Sequence, residues 1–326
     1  MTNSRFTQAL ADGTIGSLGR NIAVFRPSAD YDLTGLPKDS TTIVHSFMPD
    51  VAFWQGAGFR VVQSAEPADC AVVVVPRSKA LAQSLIAQAC ATAPFVIVDG
   101  QKTDGVDSLF KSCRKILGDI PNITKAHGRL FWFPASSAFA DWSATSPAKG
   151  AHGYFTAAGV YSDGKIDTGS ALLRTCLPAK LPRRMADFGA GWGYLAEAVL
   201  TCDGVQSLDL IEAELISLAC ARLNINDPRA SFIWADVRQH QPSVAYDGIV
   251  MNPPFHESRA ADSALGQSFI RAAAKRLTPQ GQLWMVANRH LPYEATLSES
   301  FRSVVEVANQ NGFKVFHASR PAGAVR

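Results

Sequence analysis

The stretch Asp187-Phe188-Gly189-Ala190-Gly191-Trp192-Gly193 decides the reading of the fold. It follows a short apolar run, residues 185–188, that predicts a strand, and it leads into residues 194–201, which predict a helix. Glycines at such a turn permit tight backbone angles and let a ligand approach the main chain closely. The first two glycines fit a dinucleotide-type turn. The third glycine of G-x-G-x-x-G is missing, because Tyr194 stands in its place. A phosphate cradle is therefore disfavoured, and the turn by itself is also consistent with a purely structural role.

Downstream, the pattern alternates. Residues 207–212, 231–235, 248–251 and 283–287 predict strands, and 215–224 and 263–277 predict helices. The second of these helices is stopped by Thr278-Pro279-Gln280-Gly281. The C-terminal stretch predicts two strands joined by a turn at Asn311-Gly312. Upstream, 71–75 and 95–99 predict strands around a helix over 78–90, and the aromatic-rich segments 128–133 and 154–161 predict strands flanking a linker. The small, polar run 135–153 contains the expected boundary. Two domains follow, 1–150 and 151–326. The two halves also echo each other. In each, a strand meets proline (Pro76; Pro253-Pro254), a helix follows, and after a further proline (Pro94; Pro279) comes a strand with a polar tail. The first half lacks both the glycine turn and the Asn-Pro-Pro sequence, so it reads as a related sheet without a catalytic site. Generic α/β periodicity is the alternative.

The 326 residues are 47% hydrophobic and 18% charged, a globular composition that excludes a disordered or collagen-like chain. The net charge of +3 is too small to indicate a nucleic-acid partner and is spread over both halves. No apolar run approaches the roughly 18 residues that span a bilayer, and the first residues lack the pattern of a secretory leader. The expectation is a soluble, cytoplasmic protein. None of the six cysteines is spaced as C-x-x-C, which predicts reduced core thiols and no metal site.

Three further features carry chemistry. Glu212 closes the strand after the glycine turn, 23 residues beyond Gly189, near the spacing of about 20 at which an acid meets a ribose diol. Asp236 ends the next strand, where it could accept from an adenine amino group. Most specific is Asn252-Pro253-Pro254-Phe255 at the end of the fourth strand. Two prolines remove two backbone donors and hold Asn252 extended. The Asn252 side chain and the Pro253 carbonyl can then both accept from one amino group, while Phe255 offers a face for stacking a planar substrate.

The ordered set of the glycine turn, Glu212, Asp236 and Asn252–Phe255 resembles a class I S-adenosylmethionine-dependent methyltransferase. Residues 159–173, 251–258 and 283–301 are similar to the bacterial rRNA guanine-N2 methyltransferases of the RsmC and RlmG type. The likeness is strong over about 155–318 and thin over 1–150. One departure is Ala190, where that family often has Cys. The resemblance implies two Rossmann-like methyltransferase-type α/β domains in tandem. The first would be degenerate, serving RNA recognition or support; the second would be catalytic, with a mixed sheet ending in a hairpin. It implies S-adenosylmethionine as cofactor and ribosomal RNA as partner, the 16S molecule favoured over the 23S. Gly189, Gly191 and Gly193 would line the methionine and ribose portion, and Asp187 would face the amino group. Glu212 would take the ribose hydroxyls, Asp236 the adenine, and Gly169 with its neighbours would close the pocket. Asn252 and Pro253 would accept from the guanine amine, with Phe255 stacking. His256 and His290 are not read as general bases. Other readings are a methyltransferase acting on a protein glutamine or DNA amine, a dinucleotide oxidoreductase, and a non-catalytic RNA-binding module.

Overall fold

The structure, a computed structural model, describes residues 5–143, 147–161, 165–254 and 259–323, with the backbone alone for 259–262. The chain divides into two compact units, Met1–Ser146 and Pro147–Arg326.

The first unit contains α1 (Arg5–Ala11), β1 (Ile22–Phe25), β2 (Thr41–Val44), α2 (Met48–Gly56), β3 (Arg60–Val62), β4 (Cys70–Val74), α3 (Lys79–Thr92), β5 (Phe95–Gln101), α4 (Val106–Leu117), β6 (Asn122–Lys125) and β7 (Gly128–Pro134). Seven strands form one sheet in the order β3-β2-β1-β4-β5-β7-β6. β1 to β5 run parallel, and β7 is antiparallel to both β5 and β6. The period-two alternation of a strand feeds two cores. Ala71 and Val73 of β4 pack with Leu85 and Ile86 of α3 and Phe110 of α4 on one face. Cys70 and Val72 pack with Phe6 of α1 and Trp54 of α2 on the other.

The second unit contains β8 (Ala148–Lys149), β9 (Phe155–Thr156), α5 (Thr168–Cys176), β10 (Arg184–Phe188), α6 (Tyr194–Thr201), β11 (Ser207–Glu212), α7 (Leu215–Asn224), β12 (Ala230–Trp234), β13 (Tyr246–Met251), α8 (Arg259–Arg276), β14 (Leu277–Asn288), α9 (Glu294–Ser300), β15 (Phe301–Gln310) and β16 (Phe313–Pro321). Its main sheet has the order β12-β11-β10-β13-β14-β16-β15, the same permutation as the first. Again five strands are parallel and the last pair is antiparallel. The tandem methyltransferase-type fold expected from the sequence is present. α5, α6 and α7 cover one face through Leu173, Leu195 and Leu218, and α8 and α9 cover the other through Ile270 and Leu297. The hairpin turn uses Asn311 and Gly312 with φ of 52° and 82°, the left-handed pair that a two-residue turn requires.

Three local expectations are corrected. Of residues 154–161, only Phe155–Thr156 are strand, paired with β8. Residues 278–281 do not simply end a helix. Tyr246 pairs with Leu277 and Gly248 with Gln282, so the intervening residues bulge out of β14. In the first half, β1, β2, β3 and β6 join the three strands anticipated there, which are β4, β5 and β7. All six cysteines are free thiols, with Cys70, Cys113 and Cys220 buried, and no described helix is long and apolar enough to cross a membrane.

Candidate cofactor and substrate site

The strand order brings the sequence motifs to one edge. β10 lies between β11 and β13, with Phe188 paired to Ile211 on one side and to Met251 on the other. Glu212, Gly189 and Asn252 therefore leave the sheet side by side. The helix after β10 covers one face and the helix after β13 the other. That change of side opens the crevice in which α/β sheets hold ligands.

The turn after β10 is held by its own backbone and by one carboxylate. Gly189, Gly191 and Gly193 have φ of 74°, 56° and 96°, left-handed angles that a side chain would strain. Gly189 and Ala190 donate to the Ile211 carbonyl at 2.9 and 3.1 Å. Glu212, half-buried, accepts from Gly191 N at one oxygen and from Glu214 N at the other, both 2.8 Å. Burial raises the Glu212 carboxyl above its ordinary range, and the backbone donors oppose that rise. Each oxygen keeps lone pairs for a further donor. Trp192 is buried against Tyr154, ring centres 4.8 Å apart. Its carbonyl accepts from Asn224 Nδ2 at 2.8 Å, and the same amide pairs with the backbone of Phe155.

Asp187 is fully buried, and among the described residues neither of its oxygens has a hydrogen-bond partner. Burial, and then the negative charge of Glu212, pushes its carboxyl up to about 8. An orphaned carboxylate beneath a glycine turn is a fit for a cationic ligand group.

Asn252 completes the crevice. Its Nδ2 donates to Asp167 Oδ2 at 2.9 Å and to Ser170 Oγ at 2.8 Å, while its Oδ1 is buried without a partner among the described residues. Pro253 beside it is buried. Gly169 lies on α5, where a Cβ would stand 2.8 Å from the Phe313 ring, so its lack of a side chain lets α5 lie close on β16. Asp236 is buried, and its two oxygens are gripped by the Arg238 guanidinium at 2.5 to 2.9 Å. The adenine contact read from the sequence would have to share those oxygens. Phe255 and His256 lie outside the described residues, and His290 is exposed. Among the described residues no group of three His, Cys, Asp or Glu could hold a metal ion.

Sequence reasoning missed Asp167, Ser170 and the Tyr154–Trp192 brace. The available signal was Asp167 at the N-cap of α5, three residues before the backbone N–H of Ser170 that it accepts from at 2.8 Å.

A family model described as methyltransferase small domain matches residues 153–317. The ribosomal RNA small subunit methyltransferase C of Shewanella sp. (strain MR-4) is 31% identical over 261 residues, 76% of each chain. The chain belongs to the ribosomal RNA small subunit methyltransferase C family. The methyltransferase C of Shewanella halifaxensis is likewise 31% identical, over 77% of each chain. A solved structure, that of the T. thermophilus 16S rRNA N2 methyltransferase RsmC in complex with AdoMet and guanosine, aligns with a TM-score of 0.81. It covers 98% of this chain and 92% of its own, at 23% identity, a likeness of fold. Membership of the methyltransferase C family rests on the identity to its curated members, which extends over more residues than the second unit holds.

Proposed function

We propose that the second unit transfers a methyl group from S-adenosylmethionine to the exocyclic N2 amine of a guanine in 16S ribosomal RNA. The observation that carries this reading is Asn252 Oδ1, buried and without a partner among the described residues, at the strand end beside the glycine turn. It is an acceptor waiting for a donor at the edge where the fold holds a ligand. The names of the curated relatives add the ribosomal substrate, and the AdoMet and guanosine of the fold neighbour agree in kind.

When bound, S-adenosylmethionine supplies a methyl group on a sulfonium, already a strong donor. Asp187 faces the ligand's amino group, Glu212 its ribose hydroxyls, and Gly189, Gly191 and Gly193 let the backbone approach. Asp236 lies at the adenine end, and Gly169 and its neighbours on α5 close the pocket. The guanine amine is a weak nucleophile because its lone pair is delocalised into the ring. Asn252 Oδ1 and the Pro253 carbonyl accept its two N–H groups, which favours a pyramidal nitrogen and localises the pair. Orientation then provides most of the remaining acceleration. The base must leave any stack to enter. The proton is lost after transfer.

The first unit, with residues 1–150 as its span, serves RNA recognition or support. Its corresponding edge carries side-chain hydrogen bonds. Arg26 donates to Ser46 Oγ at 2.7 Å, and Trp54 Nε1 donates to the Pro27 carbonyl at 2.7 Å. Exposed Arg77, Lys79 and Lys102 at strand exits favour a phosphate-bearing partner. The protein acts in the cytoplasm, on a ribosomal subunit or its precursor, without a metal.

Labelled S-adenosylmethionine, incubated with ribosomal subunits from a strain lacking this protein, is expected to place its methyl on N2 of a 16S guanine, read by nucleoside mapping. Label in 23S rRNA, in protein or in DNA would replace the reading with that substrate.

The buried Asp187 carboxyl gives ligand binding a pH dependence. Asp187 holds a proton below about pH 8, and a cationic group beside it favours the ionised form. Below that pH binding must release the proton, so affinity for S-adenosylhomocysteine should rise as pH increases toward about 8 and then level off. Calorimetry in buffers of different ionisation enthalpy reads the release. Flat affinity between pH 6 and 8, equal to that of Asp187→Asn, would refute the assignment.

A further inference from the structure

A side-chain amide has two orientations of nearly equal shape and opposite hydrogen-bonding sense, because exchanging oxygen and nitrogen exchanges acceptor and donors. Methylating an amine requires Asn252 to present its oxygen. Nothing in Asn252 itself ensures that.

We propose that Asp167 is a positioning residue that fixes the sense of the Asn252 amide, so that the crevice offers the base an acceptor and refuses bases presenting a carbonyl there. The proposal rests on the guanine-amine reading and names the device that gives it specificity. Asn252 Nδ2 sits between Asp167 Oδ2 and Ser170 Oγ, at 2.9 and 2.8 Å, which uses both of its hydrogens. These two partners are not equivalent. A serine hydroxyl donates or accepts, so Ser170 would tolerate either sense of the amide. An ionised carboxylate only accepts. Turning the amide over would set Oδ1 against the Asp167 carboxylate, replacing an attraction by a repulsion between lone pairs.

Asp167 is itself held independently of Asn252. It caps α5 by accepting from Ser170 N at 2.8 Å, and its other oxygen accepts from the Tyr161 hydroxyl at 3.1 Å. Burial, and next the negative charge of Asp167, raises the Tyr161 phenol, which keeps it protonated and donating. The carboxylate is therefore held by a helix end and a phenol as well as by Asn252, 85 residues away in the chain. What remains is Oδ1, buried and unpartnered among the described residues.

The test uses the full chain and a double-mutant cycle. Asp167→Asn keeps shape but brings donors to the clamp, so the amide can settle in either sense. Turnover on 16S rRNA is expected to fall about tenfold to hundredfold, with KM for rRNA and affinity for S-adenosylhomocysteine little changed. Ser170→Ala leaves the sense fixed and should cost less than about fivefold. Asn252→Asp alone sets two carboxylates face to face and should be the worst variant. Asp167→Asn combined with Asn252→Asp restores a donor at the clamp and an acceptor toward the base, and should recover at least tenfold over Asn252→Asp alone. A double variant no better than Asn252→Asp, or Asp167→Asn at the wild-type rate, overturns the proposal. The same four proteins are unfolded in urea without substrate. Coupling between the two positions reads the clamp independently of catalysis, and its absence also overturns the proposal. If the wild type transfers no methyl to a 16S guanine, the functional reading fails instead.

Discussion

Asn252→Ala is expected to lower kcat by about 10²- to 10³-fold, the size typical of removing one preorganised group that acts on developing charge. Its affinity for S-adenosylhomocysteine should stay within about tenfold, or ~1.4 kcal/mol. The asymmetry follows from geometry. The amide nitrogen is committed to Asp167 and Ser170, and the oxygen is buried without a partner among the described residues. The contact it would make is therefore with the base, and it strengthens as the nitrogen becomes pyramidal and its N–H groups more acidic. Single-turnover rates with labelled cofactor, beside calorimetric titration of the same preparation, separate the two quantities. A variant with near-normal kcat would remove Asn252 from its assigned role.

Glu212→Ala should show the reverse order of effects. Both carboxylate oxygens hold backbone N–H groups, one from Gly191 inside the glycine turn and one from Glu214 just beyond β11. Removing the side chain frees both donors and deletes the proposed acceptor for the ribose diol. Hydrogen bonds to a charged group contribute about 1.5–3 kcal/mol each, so losing even one toward the ligand lowers affinity about tenfold to a hundredfold. The turn loses its brace as well, which brings the total to about 10²-fold or more. Rates at saturating cofactor should fall less than affinity. Titration with S-adenosylhomocysteine and thermal unfolding are the measurements, and an affinity within threefold of wild type would mean that Glu212 is a structural brace alone.

The second unit was legible because its strands carry punctuation. β11 and α7 lie where the pattern placed them, since Glu212 ends one and a helical run of Leu215, Leu218 and Ala221 begins the other. The first unit was far less legible. β1, β2 and β3 have four, four and three residues, too short for alternation to register. β4 and β5 stood out because both faces are covered and the sequence is nearly continuous in valine and isoleucine. At the site, residues close in sequence were found and residues joined only by the fold were not. Asp187, Gly189 and Glu212 share a motif spacing, whereas Asp167 and Ser170 reach Asn252 across the crevice from another helix. α9, with the sequence EATLSES, has too few apolar residues to announce a buried face, and only Thr296 and Leu297 anchor it.

The position of β16 has a consequence for how the protein is made. It pairs with β14 on one side and β15 on the other, yet it follows both in the chain. As the nascent polypeptide emerges from the ribosome, β15 has no neighbour to dock against until β16 slots between it and β14. During that interval two unsatisfied edges face solvent, one of them bearing Val305 and Val307, which remain half exposed even in the finished sheet. β7 enters the first sheet in the same way, between β5 and β6. Each half of the molecule thus closes by late insertion of an interior strand, and each passes through one stage of synthesis at which a chaperone has an open edge to shield.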